Sequence, residues 1–204
     1  MDAEFSVEIA ADAPAAEVPW SSGDGASRFL DLRSRPELLL EVGEAAGNRA
    51  LGEFLATINA PQGPLQTVKC DTWLSQEISE DEKIYGAAMK YGSYIDLVFT
   101  SDEARRSFAA HEKFGHALCA LLAKAPSISV AAEFIVRRCY VHTAELAAGK
   151  LPAQDAPAGN SEDAYCVSFY LTGYGDEEDE ARQRWTIGLK LVENAILQLA
   201  AKGI

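Results

Sequence analysis

The sequence has few basic residues for its length. Of its 204 residues, 18 are lysine or arginine and 31 are aspartate or glutamate, which gives a formal net charge of −13. Binding to nucleic acid or to an anionic membrane surface depends on clustered Lys and Arg side chains. The composition therefore argues against both partners. A large net charge keeps a protein soluble; the alternative is that an acidic face attracts a basic partner protein.

Targeting and membrane-spanning signals are also missing. The opening stretch MDAEFSVEIAADAP has no basic region, so no secretory signal is predicted. No uncharged run reaches the roughly 18 residues that a membrane span requires. The four cysteines are widely spaced without a C-x-x-C pair, which indicates reduced thiols rather than disulfides; they are Cys70, Cys119, Cys139 and Cys166. We therefore expect a cytoplasmic protein.

The sequence contains none of the catalytic motifs that can be recognised locally. It has no G-x-x-x-x-G-K-[ST] phosphate loop and no G-x-S-x-G elbow, and GYGDEE at 173–178 lacks the third glycine of a dinucleotide turn. The acidic clusters at 77–82 and 176–180 lack the spacing of a calcium loop. We predict no catalytic residue, metal or cofactor, although an active site assembled from distant residues stays open.

The stretch HEKFGH is the nearest approach to a metal signature. It lies in a helix that Ser101 or Asp102 can cap and that is predicted to run to about Lys124. A zinc-protease helix places two histidines at i and i+4 on one face, whereas His111 and His116 are five residues apart. That spacing separates them by roughly 140° around a helix. The neighbouring Phe108, Phe114 and Leu118 place His111 on the apolar side. We therefore predict a buried His111, an exposed His116 and no shared metal ion.

The pattern of apolar residues predicts one α+β domain over 1–204. We expect a mainly antiparallel sheet of about five to six strands, with helices packed largely on one face. The Ala-, Pro- and Gly-rich stretch 12–27 indicates a linker or a wrapped arm whose only obvious anchor is Trp20, and 144–163 indicates a mobile insertion. A capping box at 34–37 predicts a helix start, and Gly92 predicts a hairpin turn between strands at 83–91 and 93–101.

Two further features of the element order are open to more than one interpretation. The sequence DEAR at 102–105 recurs at 179–182, which suggests internal duplication or only the preference of helix starts for acidic residues. The order of elements is similar to that of small dimeric secretion chaperones. With the hairpin before residue 100 assigned differently, it is similar to the duplicated units of small-molecule effector-binding domains. Neither resemblance rests on a motif, and no family is assigned.

The closing helix carries the strongest periodic signal in the chain. Five apolar residues recur at heptad-like spacing, and we call them the C-terminal seam; they are Trp185, Leu189, Val192, Ile196 and Leu199. Such a stripe cannot face water. It packs across the sheet of its own chain, or it binds a partner in a homodimer or a complex.

A second group of residues predicts a ligand pocket instead. Arg138, Tyr140 and His142 occupy every second position of one predicted strand, so their side chains share a face. Two tyrosines follow on the next strand. The pocket would be lined by Arg138, Tyr140, His142, Tyr165 and Tyr170.

Together these features predict a non-enzymatic, cytosolic protein-binding module, chaperone-like or inhibitor-like, that acts as a homodimer. The acidity, the missing catalytic motifs and the C-terminal seam support this prediction. The alternative is a small-molecule effector-binding domain with its pocket between sheet and helices.

Overall fold

The computed structural model describes residues 1–22, 27–142 and 162–203. The strands are β1 (Asp2–Glu8), β2 (Ala16–Val18), β3 (Leu65–Ser75), β4 (Met89–Phe99), β5 (Val130–Val141) and β6 (Glu162–Gly175). The helices are α1 (Gly43–Ala46), α2 (Arg49–Ile58), α3 (Asp102–Arg106), α4 (Phe108–Leu122) and α5 (Glu178–Ala200), with 3-10 helices at Pro36–Glu41 and Asp81–Tyr85. None of these helices is both long enough and apolar enough to cross a membrane.

The strands form one six-stranded mixed sheet. Its order is β1-β5-β6-β4-β3, and β2 also pairs with β5. β1 and β2 run parallel to β5, whereas the other three pairings are antiparallel. The α+β class and the mostly antiparallel sheet agree with the prediction. Internal duplication is not shown.

The helices α2, α4 and α5 pack on the same face of the sheet. Phe54 of α2 lies 6.3 Å from Phe169 of β6, measured between ring centroids, and Phe114 of α4 lies 5.6 Å from Phe99 of β4. All four side chains are buried in the larger hydrophobic core. Successive side chains of a strand point to opposite faces. The strand residues that alternate with Phe99 and Phe169 therefore lie on the other face of the sheet, which we call the second face.

The helix α5 lies unusually close to the sheet at Gly173. The indole of Trp185 is buried, donates a hydrogen bond of 2.9 Å to Ser93 Oγ and meets the ring of Tyr91 edge-on at 5.2 Å. A Cβ atom at Gly173 would lie 2.4 Å from the backbone nitrogen of Trp185. The absent side chain is therefore what lets the helix backbone approach β6.

A segment near the N-terminus covers one end of the second face. We call residues 16–22 and 27–32 the arm. Val18 and Phe29 of the arm are buried against Val98 and Cys166 of the sheet, in a smaller core separate from the first. The predicted linker or arm at 12–27 falls partly here, and its residues 23–26 lie outside the described residues. The predicted insertion at 144–163 lies outside them too, except for two residues that begin β6.

The hairpin predicted around Gly92 is wrong. β4 runs without interruption through Gly92, and the hairpin joins β3 to β4 instead. Gly92 pairs with Trp73 of β3, and a Cβ atom at Gly92 would lie 2.6 Å from the Trp73 indole. Glycine within a strand can mark a close approach as well as a turn. Here it makes room for an indole, so the two strands predicted at 83–91 and 93–101 are replaced by the single strand β4.

Two predicted helices are also interrupted. The capping box at 34–37 makes no side-chain cap, and the helix that follows is 3-10 and gives way to α1 at Val42, whose backbone is extended. The helix predicted from about 102 to 124 consists of α3 and α4. They are separated by Ser107, whose side chain accepts a hydrogen bond from the backbone nitrogen of Ala110 at 3.2 Å. A serine side chain that bonds to the backbone of the following helix favours a break in the chain at that serine, and here it ends α3.

We expect Gly173→Ala to destabilise the protein by about 2 kcal/mol, because the new methyl group collides with the backbone of α5. Chemical denaturation measures the change. Gly52→Ala is the matched control, since its Cβ would meet only the Ala45 side chain at 3.8 Å in the middle of α2. There the substitution should leave stability unchanged or raise it by up to about 1 kcal/mol. Equal stability of the two variants would contradict the close approach.

Candidate functional site

The outer edge of β3 is one end of the sheet. In the described part of the chain, no strand pairs with this edge. An edge strand leaves one row of backbone N–H and C=O groups unpaired, and proteins usually protect such a row. Here the protection is partial. The pairing of β3 with β4 shifts register between Thr67 and Lys69, and the carbonyl of the bulged Val68 accepts a hydrogen bond of 2.6 Å from Trp20 Nε1.

Beyond the bulge, residues 69–75 form an edge that we call the open edge. It is about 20 Å long at 3.3 Å per residue. Trp73 and Leu74 point to opposite faces of the sheet here, and their exposed fractions are 37% and 39%. Exposed apolar side chains on an unprotected strand edge mark a site of pairing with another chain.

A groove runs beside the first part of this edge. Its volume is about 780 Å³, and it lies between β3, the arm and the start of α1. The lining residues that matter for its chemistry are Trp20, Arg28, Glu41, Gly43, Glu44, Lys69, Cys70, Asp71 and Tyr94. Volumes of this size are typical of ligand sites in proteins.

The wall of the groove opposite β3 is fixed by hydrogen bonds. At one end Trp20 bonds to Val68, as described above. At the other end Asp31 Oδ1 accepts a hydrogen bond of 3.0 Å from Gln66 Nε2 and one of 3.1 Å from the backbone nitrogen of Ser34. Because Asp31 and Gln66 are both buried, these bonds hold the arm at a set distance from the strand. The groove is therefore preformed.

The two basic residues of the groove are engaged. Lys69 Nζ lies 5.0 Å from the centroid of the Trp20 ring and 5.7 Å from that of Tyr94. An ammonium group in this position is attracted by both rings. Arg28 Nη2 lies 3.8 Å from a carboxylate oxygen of Glu41.

The acidic residues near the open edge are not neutralised in the same way. Glu44 and Asp71 line the groove, and neither forms an ion pair with any residue that the structure describes. Both carboxylates affect the pKa of the half-buried Cys70 thiol. Burial, followed by the charges of Glu44, Asp71 and Asp96, raises the pKa of the Cys70 thiol to about 12.

The part of the second face beyond the arm carries a separate polar network. Arg137 donates to Glu8 Oε2 at 3.0 Å, to Ser168 Oγ at 3.2 Å and to Tyr170 Oη at 3.1 Å. Ser168 in turn donates to Asp96 Oδ1 at 2.6 Å. Burial raises the pKa of Asp96. These hydrogen bonds join β1, β4, β5 and β6, so the network stabilises the sheet.

The C-terminal seam lies inside the protein. All five of its residues are buried, and they belong to the larger core between α5 and the sheet. Of the two roles considered for the seam, packing against the chain's own sheet is the one observed. The five side chains have no exposed area with which to bind a partner.

The residues of the predicted ligand pocket are not brought together. Tyr165 pairs with Arg138, and its ring contacts His111 on the helix-covered face. Tyr170 is five residues further along β6 and lies on the opposite face. His142 is buried at the end of β5, where its backbone nitrogen donates to Val18 at 2.8 Å; Tyr140 is half-buried. No single cavity can include all five residues.

The split between the two histidines of HEKFGH is confirmed. His111 is buried beside Phe99, and its Nδ1 lies 2.9 Å from the Ser107 carbonyl, while His116 is exposed beside Phe5. Burial lowers the pKa of His111. Among the described residues, no group of three or more His, Cys, Asp and Glu side chains is arranged to hold a metal ion.

The residues of the groove were not selected from the sequence. Only Trp20 stood out, as the one obvious anchor of the arm. The stretch KCDTWLS at 69–75 contains two adjacent large apolar residues, Trp73 and Leu74, which break the alternation expected of a half-buried strand. That break was the available signal for an exposed edge.

Comparison with protein-family models, with curated proteins and with solved structures found no match. The function must therefore be argued from the geometry of the chain itself.

We expect Cys70 to be alkylated by iodoacetamide more than a hundredfold more slowly at pH 8 than a thiol of the unfolded chain, because the thiolate is the reactive form. The rate should keep rising to pH 10, and Glu44→Gln should raise it by removing a negative charge. Peptide mapping by mass spectrometry separates Cys70 from the other three cysteines. A plateau in rate near pH 9 would show that the thiol is not shielded.

Proposed function

We propose that the protein is a non-enzymatic, cytoplasmic binding module that holds an extended segment of another polypeptide against the open edge of β3. The unpaired backbone of residues 69–75, set beside a preformed groove, is the observation that carries the proposal. In such an arrangement the incoming segment adds a strand to the sheet. Main-chain hydrogen bonds supply affinity, and the groove supplies side-chain contacts.

The geometry of the edge favours a polypeptide over a small molecule. The groove is open along the strand rather than enclosed, and its neighbouring surface continues past Asp71 to the exposed Trp73 and Leu74. An added strand would cover both side chains and pair the backbone over the same length. A compact ligand would fill the groove and leave the rest of the edge exposed. The dispersal of the predicted pocket residues gives the small-molecule alternative no support.

A chaperone-like or inhibitor-like role follows from this mode of binding. A module that occupies a strand of its partner prevents that strand from pairing elsewhere, which protects an unassembled partner or blocks a functional one. The fixed wall of the arm supports affinity, since a preformed site costs little ordering entropy on binding. The four free cysteines agree with the reducing conditions of the cytoplasm.

The homodimer expected from the sequence would require a surface other than the buried C-terminal seam. A second copy of the chain is a competing occupant of the open edge, through pairing of two β3 strands. Light scattering after size exclusion separates the two cases. If the protein is a dimer and a substitution in the groove breaks it, the occupant of the open edge is a second copy of the chain and not the proposed partner.

We expect Gly43→Trp to weaken the binding of an extended peptide at least tenfold. Gly43 lines the groove, and a side chain added there meets no atom within 4 Å of its Cβ, so the indole can occupy the groove without disturbing the fold. The probe is a fluorescein-labelled nonapeptide of alternating threonine and valine with a central lysine, and fluorescence polarisation measures its Kd.

Gly47→Trp is the matched control, because Gly47 also has open space around its Cβ but does not line the groove. Its Kd should stay within twofold of the unmodified protein. Hydrogen–deuterium exchange should slow in residues 69–75 when the peptide is bound. Equal Kd values for the two variants, or no binding of the peptide at 1 mM, would refute the proposed function.

A further inference from the structure

The backbone groups of β3 that come just before the open edge are already bonded. The carbonyl of Val68 accepts a hydrogen bond of 2.6 Å from Trp20 Nε1, and the backbone nitrogen of Thr67 donates one of 3.0 Å to Asn59 Oδ1. Side chains of the protein itself therefore bond to backbone groups that would otherwise need a neighbouring strand or water. The open edge, residues 69–75, begins directly after them.

The indole of Trp20 is held in place from several sides. Its backbone carbonyl accepts a hydrogen bond of 2.8 Å from the nitrogen of Phe29. Lys69 Nζ lies 5.0 Å from the centroid of its ring, and the indole packs against the smaller core of the second face. A strand that ran past Lys69 would have to displace the indole. It would exchange one hydrogen bond for another of the same kind and lose this packing, so the partner would gain nothing.

Protection within the open edge is of a different kind. The backbone nitrogen of Thr72 donates to Oδ1 of the adjacent Asp71 at 2.7 Å, in an exposed contact between neighbours in the chain. Rotation of that one side chain to another rotamer releases the N–H group. Trp20, in contrast, is 48 residues from Val68 in the sequence and is fixed by the fold of the arm. The boundary between the two kinds of protection lies at Lys69.

We infer that Trp20 is the stop that ends strand addition at Lys69. Its indole N–H occupies the Val68 carbonyl, so that the held segment pairs with residues 69–75 and leaves the sheet beside Trp20. This inference rests on the proposed function, and it adds a positioning residue and the length of the segment. The partner is a polypeptide with an extended segment of about seven residues that ends in a turn or at a chain end.

The three tryptophans of the chain allow a direct test on the unmodified protein. The indole N–H of Trp185 is buried and bonded to Ser93 Oγ, whereas Trp73 is exposed. Their signals in a ¹⁵N NMR spectrum therefore mark slow and fast exchange with solvent. The probe is an eleven-residue peptide of alternating threonine and valine with a central lysine. We expect the Trp20 indole N–H to exchange slowly with and without this peptide. Exchange as fast as that of Trp73 in the complex would show that the strand displaces the indole.

A pair of peptides measures the same stop by affinity. The second peptide has proline at residues 2 and 10, the positions opposite Val68, and proline has no N–H to donate. For the unmodified protein we expect Kd values within about twofold of each other, because the Val68 carbonyl is occupied. In Trp20→Ala that carbonyl is free. The ratio of the two Kd values should then change by about fivefold in favour of the peptide without proline, the effect of one added hydrogen bond.

Val18→Ala is the matched control. Val18 belongs to the arm and is buried in the same smaller core, but it does not line the groove, and the variant keeps the indole of Trp20. The ratio of Kd values should stay within about twofold of that for the unmodified protein. Each ratio compares two peptides on one protein, so a general effect on the fold cancels. Thermal unfolding verifies that both variants are folded.

The outcomes separate this inference from the proposed function. If the ratio is the same in Trp20→Ala and in the unmodified protein, the inference fails and strand addition stands. An equal change in Val18→Ala also overturns the inference, because the effect then comes from loosening of the arm. Displacement of the Trp20 indole by the bound peptide has the same meaning. If neither peptide binds at 1 mM, the proposed function fails and the inference with it.

Discussion

The docking of α5 on the sheet is the contact on which the rest of the structure depends. Trp185 is buried against Ser93 and Tyr91, and Gly173 lets the helix backbone approach β6. A bulky residue at Gly173 would hold the helix away from the strand, and close packing of the core would be lost. With α2 and α4 beside α5, the helices use one face of the sheet. Among the described residues, the arm covers part of the second face, and β3 forms one edge of the sheet.

The protein treats its two sheet edges differently. At one edge, β1 and β2 lie in succession along β5, and both are short. At the other edge, the bulge at Val68 and the Trp20 indole protect only the beginning of an eleven-residue strand. Long apolar edges promote aggregation and are usually covered or charged. An edge that keeps Trp73 and Leu74 exposed beside a fixed groove is better explained as a binding surface than as an unprotected defect.

Local patterns predicted the parts of the fold that depend on local geometry. The split of His111 and His116 follows from the rotation of 100° per residue in a helix, and the periodic residues of the closing helix are buried as a continuous stripe. The hairpin at Gly92 failed because a glycine has the same local signature whether it turns the chain or admits a neighbouring indole. The interruption at Ser107 was missed because the five-residue α3 and the fifteen-residue α4 together show the apolar period of one long helix.

The sequence by itself determined the types of most elements, the buried stripe of α5 and the acidity of the surface. Tertiary structure alone decided that β1 pairs with β5, more than a hundred residues away, and that β3 is an edge strand. The backbone hydrogen bonds that join strands are the same for every residue except proline, so they carry no sequence signal for which strands become neighbours. That choice is made by the packing of side chains that are far apart in the chain. For the same reason the groove, whose lining comes from the arm, α1 and β3, forms only after the chain has folded.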